Sequence, residues 1–541
     1  MNPTYLLSRS WCRLPLSICA ITVALAGCAT GTPPRSVSAP VPTQWFAALP
    51  ATPVNSPVTN SANSPAELAA DRAAPLPHNG RITDLTQWWQ QQGDPLLVDL
   101  IAQAQAVSSS VASARARIEQ AGATQTAAGA ALGPALDGSA SISRGRSQPF
   151  APGMSPLASS AQAGLQASWE LDVFGGQRAT RNAAIERLAG TDAQWHDARV
   201  SSAAEVANQY FAYQSCREVE TITRLDAESR RETARLTDLS QQAGFTAPAV
   251  AALARASAAE ARARLTQQSA QCDINIKALV ALTAASEPDL RQRLLLAQSA
   301  RSLVTPIFIA DVPAEAVAQR PDVFNAAREV AAASFEIGSA QAERYPSLGL
   351  TGSIGTSRTR SSGVSTDFNT WSIGPLSLTV PLFDGGRRAA NVDAARARYD
   401  EAASIYRAAV RQAVREVEEA LVTLQSTATR QGDAQTAVEG FRASFGGTEA
   451  LYKSGLASLI ELEDTRRTLL NAQTTLAGLE QSRRSAWVAL YRAMGGGWRV
   501  ASSNPSSEPA QASPMASRAA SSLSMKSTSA TSNQQPQPAT P

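Results

Sequence analysis

Four segments of the chain alternate apolar residues with small polar ones at a period of two, which is typical of β-strands. They form two pairs, at about 134–174 and at about 346–383. In the first strand, Leu136 and Ile142 fall on one face and the polar residues between them fall on the other. We expect a bulge at Gly374-Pro375, because proline cannot donate to a strand ladder. The pattern predicts a sheet with one apolar face and one small, polar face.

Each strand pair is followed by an Ala-rich pattern of helical period that breaks once at a glycine. The first covers about 177–283 and breaks at Gly244, and the second covers about 387–494 and breaks at Gly455. Because glycine commonly ends helices, each segment predicts an antiparallel helical hairpin. The helix from about 388 to 452 would be ~95 Å long. Apolar residues recur in it every seven positions, which indicates a coiled-coil seam of Val392, Tyr399, Tyr406, Ala413 and Ala420.

The two halves of the chain repeat the same junction between strand and helix. Phe174-Gly175-Gly176-Gln177-Arg178 returns about 210 positions later as Phe383-Asp384-Gly385-Gly386-Arg387. We therefore expect one elongated body with two structural repeats, at 85–283 and 313–500, and an equatorial segment at 284–312 between them.

A shorter helix is expected to open the first repeat. From Leu97 onward the apolar positions keep a helical period through Val107 and Val111 to Ile118. The sequence therefore predicts helical structure across this whole stretch.

The N-terminus has the features of an export signal. Residues 1–27 combine positive charge at Arg9 and Arg13 with an apolar stretch that is too short to span a bilayer. The Pro- and Ser-rich residues 28–84 predict an extended linker to the folded body. At the other terminus, residues 501–541 have the composition of a disordered tail.

The signal ends in Leu25-Ala26-Gly27-Cys28, which resembles the signal of bacterial lipoproteins. That resemblance implies a lipidated linker that begins at Cys28, with N-palmitoyl and S-diacylglycerol groups. Ala29 follows in place of Asp, which in such signals implies the outer membrane. An ordinary signal peptide with an incidental cysteine is the alternative.

The strands are too few to close a pore within one chain. No other run reaches the ~18 apolar residues of a spanning helix, so a membrane-crossing form would be a β-barrel. The smallest bacterial barrels have ~8 strands, and open sheet edges in lipid leave N–H and C=O groups unpaired. Three chains with four strands each would supply a twelve-stranded barrel. A globular sandwich also alternates in this way, but nothing nearby in the sequence would cover the apolar face.

Two cysteines remain in the body once the signal and lipid attachment are set aside. Cys216 and Cys272 are equally far from Gly244 along the chain, so an antiparallel hairpin that turns there would place them opposite each other. An exported chain meets an oxidising compartment, which favours a disulfide. Two buried free thiols are the alternative.

Composition argues against catalysis and nucleic-acid binding. The net charge is +3, which gives no basic field for nucleic acid. The chain has two histidines, His78 and His196, and neither is spaced with the cysteines as zinc ligands would be. No nucleotide-binding, zinc-hydrolase or serine-hydrolase motif occurs. We therefore expect no catalytic, cofactor-binding or metal-binding residues and no enzymatic activity.

One polar constellation lies just past the second helical turn. Ile460, Asp464 and Arg467 fall at positions i, i+4 and i+7 of a helix and so share one face. If three copies met on an axis, Ile460 would form an apolar ring and Asp464 an acidic one, with Arg467 offsetting the repulsion. An ordinary surface ion pair is the alternative.

Several motifs between about 85 and 500 resemble the TolC-type outer-membrane factors, and specifically their NodT/OprM-like lipoprotein branch. Besides the lipoprotein signal, they are Leu171-Asp172-Val173-Phe174-Gly175, Arg320-Pro321-Asp322-Val323, Ile337-Gly338-Ser339-Ala340, Tyr345-Pro346-Ser347-Leu348, Pro381-Leu382-Phe383-Asp384-Gly385-Gly386 and Leu490–Trp498. The chain departs from the family at Ser108-Ser109-Ser110, where an Asn-rich turn is usual, and after Leu282-Thr283, which lacks the usual Gly.

The resemblance implies a mainly α-helical protein with a transmembrane β-barrel. A homotrimer would carry a twelve-stranded barrel in the outer membrane and a long coiled-coil tunnel in the periplasm. The chain would be the passive exit duct for small molecules in a tripartite multidrug efflux system. Its partners would be a periplasmic adaptor and an inner-membrane pump of the resistance-nodulation-division type. The alternatives are a type I secretion duct and a lipid-anchored coiled-coil rod without a pore.

The resemblance also assigns roles to residues near the two helical turns. The gate that closes the periplasmic end of such channels maps onto Ile460, Asp464 and Arg467, with isoleucine in place of the usual leucine. The adaptor would dock at the hairpin tips, around Gly244, Phe245, Gly455 and Leu456.

Overall fold

Two helical hairpins and one four-stranded sheet make up most of the structure, a computed structural model that describes residues 31–42, 45–47, 87–146, 157–297, 317, 320–361 and 363–498. The helices, in chain order, are α1 Trp88–Gln91, α2 Pro95–Val107, α3 Ser109–Ala130, α4 Gly176–Gln242, α5 Pro248–Thr283, α6 Glu287–Ala297, α7 Pro321–Ala342, α8 Arg387–Lys453 and α9 Leu459–Ala493. The strands are β1 Ala135–Arg146, β2 Leu157–Leu171, β3 Ser347–Ser361 and β4 Val364–Thr379.

The two hairpins have nearly the same dimensions. Helices α4 and α8 each contain 67 residues, which corresponds to ~100 Å. Their return helices, α5 and α9, contain 36 and 35 residues. Helix α7 packs against both α4 and α8, and α9 packs against α4, so the hairpins form one body. The long helices are alanine-rich on their buried faces, as close packing of thin helices requires.

Each hairpin turns on a glycine with left-handed backbone. Gly244 and Gly455 both have φ of +79°, a conformation that glycine adopts without steric cost. The backbone N–H of the next residue, Phe245 or Leu456, donates back across the last helical turn at 2.9 and 2.8 Å respectively. This is the Schellman pattern, which satisfies helix-end carbonyl groups that would otherwise lack a partner.

An aspartate holds the junction between strand and helix in each half. The carboxylate of Asp172 accepts hydrogen bonds from the backbone N–H groups of Gln177 and Arg178 at 3.0 and 2.9 Å. Asp384 accepts from the N–H groups of Gly386 and Arg388 at 3.0 and 3.1 Å. The carboxylates therefore cap the long helices where the chain leaves the sheet.

The sheet is antiparallel, with strand order β1-β2-β3-β4. Its ladder shifts register opposite Gly374-Pro375, where Leu350 pairs with Leu376 and Gly352 pairs with Ile373. The bulge expected from the sequence is therefore confirmed. Beyond β1 and β4 no further strand pairs with the sheet among the described residues, so both outer edges are open within one chain.

Aromatic residues fill the core midway along the helical body. The ring of Trp88 stacks on Tyr491 with centroids 5.0 Å apart, and the Tyr210 hydroxyl donates to Asp94 at 2.7 Å. Beside this core, the guanidinium of Arg320 bonds to Asp322, to Glu416 at 2.7 Å and to the carbonyl oxygen of Ala493 at 3.0 Å. The motif Arg320-Pro321-Asp322 thus ties the start of α7 to α8 and α9.

The helix that was expected to run from Leu97 through Ile118 is divided in two. It breaks at Ser108, whose hydroxyl caps α3 by accepting from the N–H of Val111 at 3.4 Å. The two pieces, α2 and α3, meet at a bend of 51°. A serine in extended conformation can satisfy the freed N–H groups of a new helix, so the apolar period continues while the axis turns.

Several predicted segments lie outside the described residues. They are the signal at 1–27, the predicted lipidation residue Cys28, most of the linker at 28–84, residues 298–312 of the equatorial segment and the tail at 501–541. Of the equatorial segment, the structure describes the part that contains α6. Among the described residues, no single helix is both long and apolar enough to cross a membrane, although α2 and α3 taken together meet that test.

Candidate functional site

The candidate gate lies at the start of α9, where a capping box fixes the phase of the helix. The Ser458 hydroxyl accepts from the N–H of Glu461 at 3.2 Å, and the Glu461 carboxylate accepts from the N–H of Ser458 at 2.7 Å. The hydrogen bond from the Ser458 backbone lowers the pKa of Glu461 below its usual value. The cap thus sets which residues of the first turns face outward.

The three predicted gate residues share the exposed face of α9. Ile460 is 70% exposed although it is a large apolar residue. One helical turn further, Arg467 donates to Asp464 with a distance of 2.5 Å between Nη2 and Oδ1. Both of these side chains are more than 60% exposed in the single chain. The structure therefore brings the three residues together on a surface that another copy can contact.

The opposite face of the same turns is buried and charged. Arg466 is 4% exposed, and its guanidinium donates to Glu463 at 2.9 Å and to the hydroxyl groups of Ser229 and Thr233 on α4. Glu463 also pairs with Arg230 of α4. Separating α9 from α4 would break these buried ion pairs and leave charges without a partner. The cluster therefore holds α9 against α4.

Sequence reasoning missed this cluster, which we call the tip ion cluster (Asp226, Arg230, Glu463 and Arg466). The spacing of Glu463 and Arg466 would have suggested a local pair. The partners on α4 are more than 230 positions away, and nothing in a single sequence shows that they meet. Apolar contacts of Leu459 and Leu462 with α4 and α5 add to the same attachment.

The other predicted sites lie elsewhere on the hairpins. The tip residues Phe245 and Leu456 are 86% and 76% exposed, which is unusual for large apolar side chains. Higher on the first hairpin, Cys216 of α4 and Cys272 of α5 are joined by a disulfide with a Cα–Cα distance of 5.5 Å. Among the described residues, no group of histidine, cysteine and acidic side chains could hold a metal ion.

The sheet separates apolar and polar side chains onto opposite faces. Register pairs such as Leu165↔Ile354 and Ile354↔Trp371 place apolar residues next to each other on one face. Pairs such as Ser143↔Ser160 and Ser353↔Ser372 lie on the other, where their hydroxyl groups bond at 2.7 and 2.9 Å. The apolar side chains are exposed, among them Leu136, Ile142, Leu165, Ile354, Trp371, Ile373, Leu376 and Leu378.

These features define a class of protein in which two long helical hairpins are joined to a small sheet with an exposed apolar face. Residues 100–285 and 312–496 match the model of the family described as outer membrane efflux protein. The chain belongs to that family, which confirms the resemblance drawn from its motifs. It is an outer-membrane efflux channel with a TolC-like fold.

Individual relatives agree with this assignment over most of the chain. The chain is 28% identical to the pyoverdine export outer membrane protein OpmQ of Pseudomonas aeruginosa, covering 81% of this chain and 94% of that protein. The OpmQ protein of Pseudomonas putida is 29% identical, with 91% and 98% covered. The solved structure of the outer-membrane channel OprN superimposes with a TM-score of 0.69 at 27% identity, covering 76% of this chain and 93% of that one.

Proposed function

We propose that three copies of this chain form the exit duct of a tripartite efflux system and that Ile460, Asp464 and Arg467 close its periplasmic end. One observation carries the proposal. The sheet has four strands, two open edges and an uncovered apolar face in a single chain.

Assembly resolves both features of the sheet. In a bilayer, unpaired N–H and C=O groups along β1 and β4 would each cost several kcal/mol, so the edges need partners. Pairing β1 of one copy with β4 of the next gives every edge a partner once the ring closes. The exposed apolar residues then face lipid and the serine-rich face lines the water-filled interior. A rod without a pore would have no use for this separation of faces.

The gate follows from the placement of α9 in such a ring. The exposed face of Ile460, Asp464 and Arg467 would turn towards the three-fold axis at the narrow end. There the three Ile460 side chains would form an apolar ring that excludes water. Arg467 would offset the repulsion between the three Asp464 carboxylates. The tip ion cluster holds the outer side of α9 in place, so opening requires breaking contacts that the single chain already makes.

The proposed partners follow from the family and from the tips. A periplasmic adaptor would seal on the exposed Phe245 and Leu456, and an inner-membrane pump of the resistance-nodulation-division type would supply the energy. The chain itself would be a passive conduit without catalytic activity. The substrates would be small toxic molecules or exported metabolites, since two relatives that match most of the chain are named for pyoverdine export.

A lipid on Cys28 fits the path of the linker. The carbonyl oxygen of Gly31 accepts from the side chain of Gln341 at 3.2 Å, in the last turn of α7 and just before β3. Cys28 lies three residues before Gly31 and so within ~10 Å of it. A lipid there would enter the membrane beside the helical end of the sheet, where the periplasmic leaflet would lie.

Opening the gate by mutation tests the proposal. Asp464→Ala removes the acidic partner of Arg467, so three unpaired arginines repel one another and widen the aperture. We expect the purified trimer to show a several-fold higher single-channel conductance in a planar bilayer, and Arg467→Ala to act in the same direction. Conductance equal to the wild type in both variants would contradict the gate.

Glu232→Ala is the matched control. Glu232 pairs with Arg235 on α4 at the same i, i+3 spacing and with similar exposure. It lies at a comparable distance from its hairpin turn, but on a helix without predicted gate residues. The conductance of the Glu232→Ala variant should equal that of the wild type. This control separates gate opening from a general effect of removing a surface ion pair.

A further inference from the structure

The apolar face of the sheet ends in arginines on the side away from the helices. By register, Ile142, Ala161, Arg358 and Asp367 form one row across this face, and Arg144, Ser159, Arg360 and Ser365 form the next. Arg146 follows two residues further along β1. All four arginine side chains are exposed. We call Arg144, Arg146, Arg358 and Arg360 the basic rim.

The basic rim carries unbalanced positive charge. Within the ranges that the structure describes, its one acidic neighbour is Asp367, which forms a double hydrogen bond with Arg358 at 2.7 and 2.9 Å. For Arg144, Arg146 and Arg360, the described part of the chain provides no carboxylate within ion-pair distance. Four arginines and one aspartate leave a net charge of +3 per chain on this part of the face.

The position of the basic rim matches the edge of a bilayer. Ten residues separate Leu348, at the helical end of β3, from Arg358, which is ~34 Å along a strand. With the ~40° tilt of barrel strands, this corresponds to ~25 Å across the membrane, the height of the apolar band of such barrels. This step rests on the proposed function, which places the helices in the periplasm. The basic rim then lies at the outer leaflet.

The charge is confined to the lipid-facing side of the sheet. On the opposite face at the same height, the residues are Ser143, Ser160, Thr359 and Thr366, which are neutral. A selectivity filter for permeating anions would need charge on that inner face. The basic rim therefore points to a ligand in the membrane and not to a solute in the pore.

We propose that Arg144, Arg146 and Arg360 bind phosphate groups of the phosphorylated glycolipid that forms the outer leaflet of the outer membrane. Guanidinium groups match phosphate oxygens in a double hydrogen bond, which gives them an advantage over lysine at such sites. Arg144 and Arg360 stand on strands separated by one other strand, ~10 Å apart. That spacing suits a headgroup with more than one phosphate better than a phospholipid with a single one. Because Arg358 already donates to both carboxylate oxygens of Asp367, it contributes less to phosphate binding than the other three arginines.

Native mass spectrometry of the delipidated trimer with added lipid A bisphosphate tests the assignment. The variant Arg144→Gln/Arg146→Gln/Arg360→Gln should bind the lipid at least about tenfold more weakly than the wild type. Asp367→Asn should bind it more tightly, because it frees Arg358. Lipid A with one phosphate should bind the wild type more weakly than the bisphosphate. Phosphatidylglycerol should not distinguish the wild type from the triple variant.

A second set of exposed arginines provides the control. Arg115→Gln/Arg264→Gln/Arg396→Gln removes the same charge from α3, α5 and α8 and should leave lipid A binding unchanged. Equal lipid A binding by wild type and rim variant would overturn the inference, as would a loss of phosphatidylglycerol binding that matches the loss of lipid A. A chain that is monomeric and does not conduct would instead defeat the proposed function itself, so the two failures can be told apart.

Discussion

At the scale of single residues, Arg466 and Arg467 are neighbours in the chain, but the first is buried against α4 and the second is exposed on α9. Ile460, Asp464 and Arg467 share one exposed face because a helix places i, i+4 and i+7 together. The same reasoning could not reach Arg466, whose burial depends on hydroxyl groups of another hairpin. Pairing between hairpins leaves no periodic signal in the sequence, so nothing distinguishes Arg466 from the exposed charged residues around it.

The disulfide between Cys216 and Cys272 leads to a prediction about oxidation and stability. Peptide mapping without reduction should recover one peptide pair that contains both cysteines. The bond closes a loop with a sequence separation of 56 residues, and loop closure of that length stabilises a fold by ~4 kcal/mol in the chain-entropy model. Cys216→Ser/Cys272→Ser should therefore melt at a lower temperature than the wild type.

Treatment with a reducing agent is the matched control for the disulfide. It should lower the melting temperature of the wild type to that of the double variant and leave the variant unchanged. Recovery of both cysteines as free thiols from exported protein would rule the bond out, whatever the melting temperatures show.

At the scale of elements, strands and hairpins were predictable because their periods of two and 3.6 residues persist over long stretches. The glycines at both turns indicated where the helices of each hairpin end. The break at Ser108 was not predictable from periodicity, since the apolar spacing continues across it while the axis bends. The capping roles of Asp172 and Asp384 were also hidden, because each lies in a motif that reads equally well as a turn.

The hairpin tips carry a prediction about docking. Phe245→Asp/Leu456→Asp places charge on the two large apolar side chains that the tips expose, where an adaptor would bury them. We expect copurification of the periplasmic adaptor to be lost and cells to become as sensitive to exported compounds as a deletion strain. Trimer formation and single-channel conductance should be retained, because the exposed side chains do not hold the fold and the backbone hydrogen bonds of both turns remain in the variant.

Leu225→Asp is the control for the tips. Leu225 is also exposed on α4, at 57%, but lies about 30 Å from the turn. The Leu225→Asp variant should copurify with the adaptor as the wild type does. Normal adaptor binding by the tip variant would place the docking surface elsewhere on the hairpins.

At the scale of the whole molecule, the repeat in the sequence predicted two alike halves, and α4 and α8 have the same length. The route of the N-terminal linker could not be predicted, because its composition indicates only an extended chain. In the structure residues 31–42 lie along the helical body. Ser334 and Tyr399 donate to the carbonyl oxygens of Pro33 and Pro34 at 2.7 and 2.8 Å, and Glu418 accepts from the backbone of residues 46 and 47.

The contacts of this linker do not depend on the proposed lipid at Cys28, which leads to the last prediction. Cys28→Ser should abolish metabolic labelling with palmitate, since the thiol and the new N-terminus that carry the lipid both depend on Cys28. The linker contacts with α7 and α8 remain in that variant, and the sheet still has its own apolar face for lipid. We therefore expect the unlabelled chain to remain trimeric and to conduct in a planar bilayer. Persistent labelling would exclude Cys28 as the lipidated residue, whereas a labelling loss accompanied by monomers would show that the lipid, and not the sheet, drives assembly.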